Sequence, residues 1–374
     1  MEDKPVWFFA YLSKKKVLRL DTCFHFCKIR IKFEHFIKKP GFAPLTCYIL
    51  YTMRITVLDG FTTNPGDLSW DEIGRLGDLT VYDRTPRELT AERSEDSEIL
   101  LTNKTVLDNK LLRSLPHLRY VGVLATGYNV IDTDEASRLG ITVTNIPAYS
   151  TSSVAQLTFA LILELCFHVQ RHSDSVMQGK WSGSADFTFR DYPLTELAGK
   201  TIGIIGFGTI GRKVCEISMA FGMKVLASSR SRKDAPECSG FEWAETEELL
   251  SRSDIVSIHC PLTPETAGII NISRLKMMKK NAFLINTSRG PIIVEKDLAD
   301  ALNEGIIAGA GLDVMASEPP AVDNPLLKAK NCIITPHIAW ATLESRRRLM
   351  DQAAKNVKAF LEGRPVNVVS KERR

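Results

Sequence analysis

Thr201-Ile202-Gly203-Ile204-Ile205 runs straight into Gly206-Phe207-Gly208-Thr209-Ile210-Gly211, and an apolar-periodic stretch follows until Gly222 closes it. The first five residues read as a β-strand. The spacing predicts a helix over Thr209–Phe221, with Ile210, Val214, Ile217 and Phe221 on one face and Gly222 as its stop. G-x-G-x-x-G is a weak signal by itself, but between a strand and a helix it is the pattern that seats a dinucleotide pyrophosphate. Gly206 permits the tight turn, Gly208 lets the backbone approach the phosphates, and Gly211 lets helix and strand pack closely. The unpaired amides that open the helix, those of Thr209 and Ile210 among them, then face the anion.

Outward from this turn, strands and helices alternate in both directions. Arg54–Leu58, Leu79–Tyr82, Ile99–Leu101, Tyr120–Leu124 and Ile141–Thr144 read as strands, with helical stretches at Asp71–Arg75 and Asn109–Leu115 between them. Pro147–Ser153 breaks the pattern as a hinge, Ser152 or Ser153 being a candidate helix cap, and Val154–Gln170 reads as one long buried helix. After the glycine turn, strands recur at Lys224–Ala227, Ile255–His259, Ala282–Asn286, Ile307–Val314 and Cys332–Thr335, with helices at Ser273–Lys280 and Glu295–Asn303. Leu343–Leu361 is a helix without a partner in this second series, so it is expected to return to the first. The fold class is therefore α/β with two doubly wound parallel sheets. The domains are 53–151 plus 341–370, discontinuous, and 152–340, inserted whole, with a ligand cleft expected between them.

Residues 1–52 stand apart. They hold ten Lys or Arg against four Asp or Glu and seven of the 17 Phe, while the whole chain of 374 residues carries a net charge of only +4. The basic excess thus belongs to this segment, which is read as an extension outside the fold and not as a nucleic-acid surface. Cys23 and Cys27 lack a second Cys/His pair at ligand spacing, so no metal is expected. Cys166, Cys215, Cys238, Cys260 and Cys332 contain no C-x-x-C, the usage of a reducing compartment, and the cytoplasm is the expected location. No apolar run is long enough to span a bilayer, and no membrane partner is expected.

At the end of the second strand, where an NAD site commonly places a carboxylate, the chain reads Ser228-Ser229-Arg230-Ser231-Arg232-Lys233. Small hydroxyl and basic residues suit a 2′-phosphate, so NADP(H) is favoured and NAD(H) stays open. Arg289, Glu318 and His337 each follow a strand of the second series, at the edge where open α/β sheets bind ligands. An Arg grips a carboxylate by paired hydrogen bonds, a His donates a proton as hydride reaches a carbonyl, and a carboxylate orients that His. No G-x-S-x-G elbow competes with this reading.

Taken in order, Gly206–Gly211, Asn286–Gly290, Gly311-Leu312-Asp313-Val314, Glu318-Pro319 and Pro336-His337 resemble the motifs of the D-isomer-specific 2-hydroxyacid dehydrogenase family across essentially 53–370. The resemblance implies a flavodoxin-like substrate domain and a Rossmann cofactor domain. It implies that Arg289 binds the substrate carboxylate and carbonyl, that Glu318 supports His337, and that His337 is the acid/base. Asp313 would hold the nicotinamide carboxamide. Ala125, Thr126 and Gly127 match the loop whose amides take the substrate carboxylate, and Cys260 and Pro261 the adenine-side loop; Thr266, Thr287, Ser288, Ser229 and Arg230 complete the candidate cofactor contacts. Ala-Thr-Gly-Tyr-Asn and His-Ile-Ala-Trp-Ala-Thr are most similar to glycerate dehydrogenases, or hydroxypyruvate reductases, with Trp340 favouring a short substrate side chain. The expected reaction interconverts hydroxypyruvate and D-glycerate, or glyoxylate and glycolate, in a homodimer. A nucleotide-sensing scaffold resembling the corepressors of this family and a short phosphoglycerate dehydrogenase remain as alternatives.

Overall fold

The computed structural model describes residues 52–232, 235–236 and 239–370 in full, together with the backbone of short strands nearer the N-terminus. Those strands are β1 (Tyr11–Leu12) paired with β2 (Lys16–Val17), and β3 (Arg19–Asp21), β4 (Ile29–Glu34) and β5 (Thr46–Tyr51) in one sheet, all antiparallel. The Cys23–Cys27 stretch, Lys233 and Cys238 lie outside the described residues. The chain forms two compact units, Met1–Tyr149 with Leu343–Arg374, and Ser150–Thr342.

In the first unit β6 (Arg54–Val57), β7 (Asp78–Val81), β8 (Ile99–Thr102), β9 (Tyr120–Val123) and β10 (Thr142–Thr144) lie in the order β10-β9-β8-β6-β7, every pair parallel. Counting strands from β6, this is the 2-1-3-4-5 order of flavodoxin-like sheets. The central strands β8 and β9 are buried at every position, the near-continuous apolar run that a sheet covered on both faces requires. Helix Leu343–Leu361 belongs to this unit and buries Leu349, Met350, Ala353 and Val357, spaced along one helical face. Arg346 on the same helix is buried and donates to both oxygens of Asp67, at 2.7 and 2.6 Å. The segment after the helix turns back along β10, where Val369 N donates to Val143 O at 2.8 Å.

In the second unit β11 (Thr201–Ile205), β12 (Lys224–Ser228), β13 (Phe241–Trp243), β14 (Ile255–Ile258), β15 (Phe283–Asn286), β16 (Gly309–Leu312) and β17 (Cys332–Ile334) run parallel in the order β13-β12-β11-β14-β15-β16-β17. This is the doubly wound Rossmann order with a seventh strand added, and its order reverses between β11 and β14. The three-residue edge strand β13 is too short to show alternation and is absent from the sequence reading.

Four local expectations are corrected. The helix expected over Val154–Gln170 spans Thr151–Phe167, and a second helix, Val169–Met177, follows at a 55° bend. The break is at His168, in the left-handed region (φ 48°), and the His172 Nδ1 sits 3.0 Å from the carbonyl oxygen of Phe167, which the broken ladder leaves open, and from that of His168, which accepts from His172 N. Neither Ser152 nor Ser153 caps the first helix: Ser150 stands at the cap without a side-chain bond, and Ser153 Oγ donates to Ala339 O. Thr209–Ala220 buries Gly211, Val214, Cys215 and Ser218, while Phe221 is exposed and stacks on Phe159. Val214 is thus buried as expected and Ile210 and Ile217 pack half-buried against the same core, so only Phe221 departs from the expected face. Finally, Ser273–Lys280 is helical only over Ile272–Leu275; three-residue turns then carry Met278 into the core.

Candidate active site

The glycine turn occupies the switch point of the second sheet. Gly206 has φ +96°, and a Cβ there would lie 2.4 Å from Cys260 N and 2.6 Å from His259 C. That close approach locks the turn against the end of β14, the strand on the far side of the reversal. Gly208, in contrast, would place a Cβ in open space, with no atom within 4 Å, and it caps the Thr209 helix without any side chain. The helix therefore opens on bare amides beside a clear approach, which fits a diphosphate. Behind the turn, the His259 Nε2 lies 2.8 Å from Ser257 Oγ, while its Nδ1 is buried without a partner among the described residues. Burial pushes this imidazole down to about 3, so it is neutral wherever the protein is folded at ordinary pH.

The other candidate cofactor residues sort by accessibility. Ser229 is half-buried and Arg230 exposed just beyond β12; Arg232 pairs with Glu245. The Thr263 hydroxyl and the backbone of Glu265 itself hold the Glu265 carboxyl below the usual range, with a smaller contribution from the charge of Arg230. Thr266 is turned inward: its hydroxyl donates to Pro261 O and accepts from Thr263 N, both at 2.7 Å, and so closes that loop. Cys260 is half-buried next to exposed Pro261. The Thr287 hydroxyl meets that of Thr158 at 3.1 Å.

Arg289, Glu318 and His337 follow β15, β16 and β17, three neighbouring strands, at their C-terminal ends. Asn286 shapes the first loop: its Oδ1 accepts from Ser288 N and Ser288 Oγ, and its Nδ2 donates to Arg289 O at 2.9 Å. Arg289 is half-buried and turns one guanidinium N–H to Ser288 O at 2.7 Å. His337 Nδ1 lies 2.7 Å from Glu318 Oε2, and the other carboxylate oxygen of Glu318 accepts from Met315 N at 3.1 Å. With Nδ1 engaged, Nε2 is the ring atom presented outward.

His337 sits in the left-handed region, at φ 54°, a conformation that needs support from its surroundings. Asp313 supplies it. Its carboxylate is 1% exposed and accepts from Thr335 Oγ1 at 2.6 Å, Ile338 N at 2.9 Å and Ala339 N at 2.8 Å, gripping the loop on both sides of the imidazole. Burial raises the Asp313 pKa against the pull of these donors. This loop-holding contact was not legible in the sequence. Trp340, half-buried, ends the same loop.

Ala125, Thr126 and Gly127 belong to the first unit, at the C-terminal end of β9. The switch point of that sheet lies between β6 and β8, and Asp59, just after β6, accepts from the backbone N–H groups of Asn103, Lys104 and Thr105 at 2.7, 2.6 and 2.9 Å. Neither Asp59 nor Asn103 was marked by any motif. Among the described residues no three His, Cys, Asp or Glu side chains are grouped to hold a metal ion, and no single helix is long and apolar enough to cross a membrane.

Residues 159–339 match the family described as D-isomer specific 2-hydroxyacid dehydrogenase, NAD binding domain. A hydroxypyruvate reductase of Blautia hydrogenotrophica is 52% identical over 322 residues, 85% of this chain and 100% of its own length. A glycerate dehydrogenase of Methylorubrum extorquens is 41% identical over 287 residues, 76% of this chain and 89% of its own. Among solved structures, D-lactate dehydrogenase from Aquifex aeolicus complexed with NAD and lactic acid superposes with a TM-score of 0.75 at 31% identity, covering 86% of this chain and all of that one.

Proposed function

Because this chain belongs to the D-isomer-specific 2-hydroxyacid dehydrogenase family, and is thus an enzyme interconverting small 2-keto and D-2-hydroxy acids with a nicotinamide cofactor, we propose that it reduces hydroxypyruvate to D-glycerate and, as a smaller substrate, glyoxylate to glycolate. The observation that carries the reading is the 2.7 Å contact of Glu318 with His337, on loops beside the one that bears Arg289. The names of the hydroxypyruvate reductase and glycerate dehydrogenase relatives support the choice of substrate.

A bound reduced nicotinamide supplies hydride to the keto carbon. His337 holds a proton at Nε2 and gives it to the carbonyl oxygen as negative charge gathers there. Glu318, bonded to Nδ1, fixes the ring plane and opposes the charge of the protonated ring. Arg289, steadied by Ser288 O, offers its remaining N–H groups to the substrate carboxylate and carbonyl. Backbone amides of Ala125–Gly127 hold that carboxylate. Gly206–Gly211 seat the pyrophosphate, and Ser229 with exposed Arg230 favours NADP(H) over NAD(H). We also propose a homodimer through the segment after the helix break, where Met177, Trp181 and Phe187 are 84%, 52% and 90% exposed, and a cytoplasmic location in keeping with the cysteine usage.

The test is turnover of hydroxypyruvate, glyoxylate, pyruvate and phosphohydroxypyruvate with each reduced cofactor, in the wild type and His337→Ala. The wild type should prefer the first two, and the variant should lose roughly 10²–10⁴-fold in kcat. Near-normal turnover by the variant, or preference for the phosphorylated acid, overturns the corresponding part.

A further inference from the structure

We propose that Asn103 and Asn145 are positioning residues that aim the amide N–H groups of Ala125–Gly127, an inference that rests on the function proposed above. In a trans peptide the C=O and the N–H that follows it share one rigid plane and point opposite ways. Holding a carbonyl therefore aims the next amide. Along this loop three successive carbonyls are held: Leu124 O by Asn103 Nδ2 at 2.7 Å, Ala125 O by Ile146 N at 3.0 Å, and Thr126 O by Asn145 Nδ2 at 2.7 Å. The N–H groups in those same planes are those of Ala125, Thr126 and Gly127, and among the described residues none of them donates to a protein acceptor. The Thr126 hydroxyl is tied on the carbonyl side too, donating to Ile146 O at 2.9 Å. One face of the loop is thus saturated and the other presents consecutive donors, the arrangement a carboxylate needs.

The two asparagines are themselves anchored. Asn103 is 4% exposed, and its backbone N–H goes to the Asp59 carboxylate. Asn145 is held at both backbone ends by the C-terminal part of the chain: its N–H donates to Asn367 O at 3.2 Å, and its carbonyl accepts from Asn356 Nδ2 at 2.9 Å. Asn356 is 1% exposed, and its amide is oriented by the Asn145 carbonyl, which can only accept; its Oδ1 then accepts from Gln352 Nε2 and Asn367 Nδ2, both at 2.9 Å. The helix Leu343–Leu361 and the segment after it thereby set the loop that follows β9.

The prediction is specific to the keto acid. A carboxylate is bound in ground state and transition state alike, so loosening its donors should raise KM and spare kcat. Asn145→Ala should raise KM for hydroxypyruvate roughly tenfold, the effect of one hydrogen bond, with kcat within about threefold and the KM of the reduced cofactor unchanged. Asn145→Asp, equal in size but presenting an acceptor to Thr126 O, should raise KM at least as much and carries the same expectation should the alanine variant fail to fold. Ser137→Ala removes a side-chain bond to Thr133 O elsewhere in the same unit and should leave KM unchanged. Keto-acid KM within twofold of wild type in both Asn145 variants, or a parallel rise in Ser137→Ala or in the cofactor KM, overturns the proposal while the function stands. A wild type that turns over no 2-keto acid overturns the function and this inference with it.

Discussion

Two glycines in one turn should fail in opposite ways. Gly206 carries φ +96°, and an alanine methyl there would lie 2.4 Å from Cys260 N, a backbone atom that cannot swing aside. The conformational strain is worth about 1–3 kcal/mol and the overpacking a similar amount. For a unit of this size each kcal/mol lowers Tm by roughly 2–4 °C, so Gly206→Ala should lower the melting temperature of the cofactor-free protein by roughly 5–20 °C. Gly208 has φ −83° and open space where its Cβ would be. Gly208→Ala costs the fold no more than about 1 kcal/mol of cap preference. Yet its methyl would stand where a pyrophosphate must approach, and the Kd for the reduced cofactor should rise at least roughly tenfold, the equivalent of ~1.4 kcal/mol. Melting curves without cofactor and fluorescence titration with NADH and NADPH separate the two effects. If both variants melt together, or if Gly208→Ala binds cofactor like the wild type, the phosphates do not lie against this turn and the reasoning fails.

Further outcomes follow from other parts of the structure. Arg289→Ala should reduce kcat/KM for hydroxypyruvate roughly 10²-fold or more, and Arg289→Lys should recover only part of it because the paired donors are gone; equal efficiency in the two variants would reject bidentate binding. Ser229→Asp, beside exposed Arg230, should move the kcat/KM ratio toward NADH, and an unchanged ratio would show that this strand end does not read the 2′-phosphate. His259 tests linkage. Below pH about 6.5 an unfolded chain protonates this imidazole, whereas the folded chain keeps it neutral down to about 3, so stability falls as pH drops through that window. His259→Gln should flatten the fall in Tm between pH 6.5 and 4.5, and a slope identical to wild type would mean the buried imidazole is not its source.

How much was visible beforehand depends on whether a feature is local in the chain. β11, the glycine turn and the helix after it are contiguous, so their apolar pattern and glycine spacing are written in one stretch. Arg289, Glu318 and His337 are far apart in sequence, but each follows a strand, and a parallel sheet brings consecutive strand ends to one edge; strand order alone made them neighbours. Leu343–Leu361 was delimited to the residue because Leu349, Met350, Ala353 and Val357 repeat at helical spacing, even though Arg346 and Asn356 share the buried face. The break at His168 was invisible, since the ring that meets the opened Phe167 carbonyl, His172, belongs to the next helix, and Tyr192, which packs on His168, lies further on still. On Thr209–Ala220 the expected Val214, Ile210 and Ile217 do pack on the core, but Gly211 and Ser218, buried beside them, carry no apolar signal that a sequence could show.

By itself the sequence determined the two parallel-sheet halves, the glycine turn proposed to seat the dinucleotide and the three side chains offered for chemistry, because periodicity and glycine spacing act over a few residues. Only the tertiary structure decided how those groups are held: Asp313 gripping the His337 loop from a buried strand end, and Asn103 and Asn145 turning a loop by its carbonyls. Such contacts join residues that share no local pattern. For Asp313 and Asn103 these are hydrogen bonds to groups withdrawn from water, and that withdrawal exists only once the segments that meet there have packed.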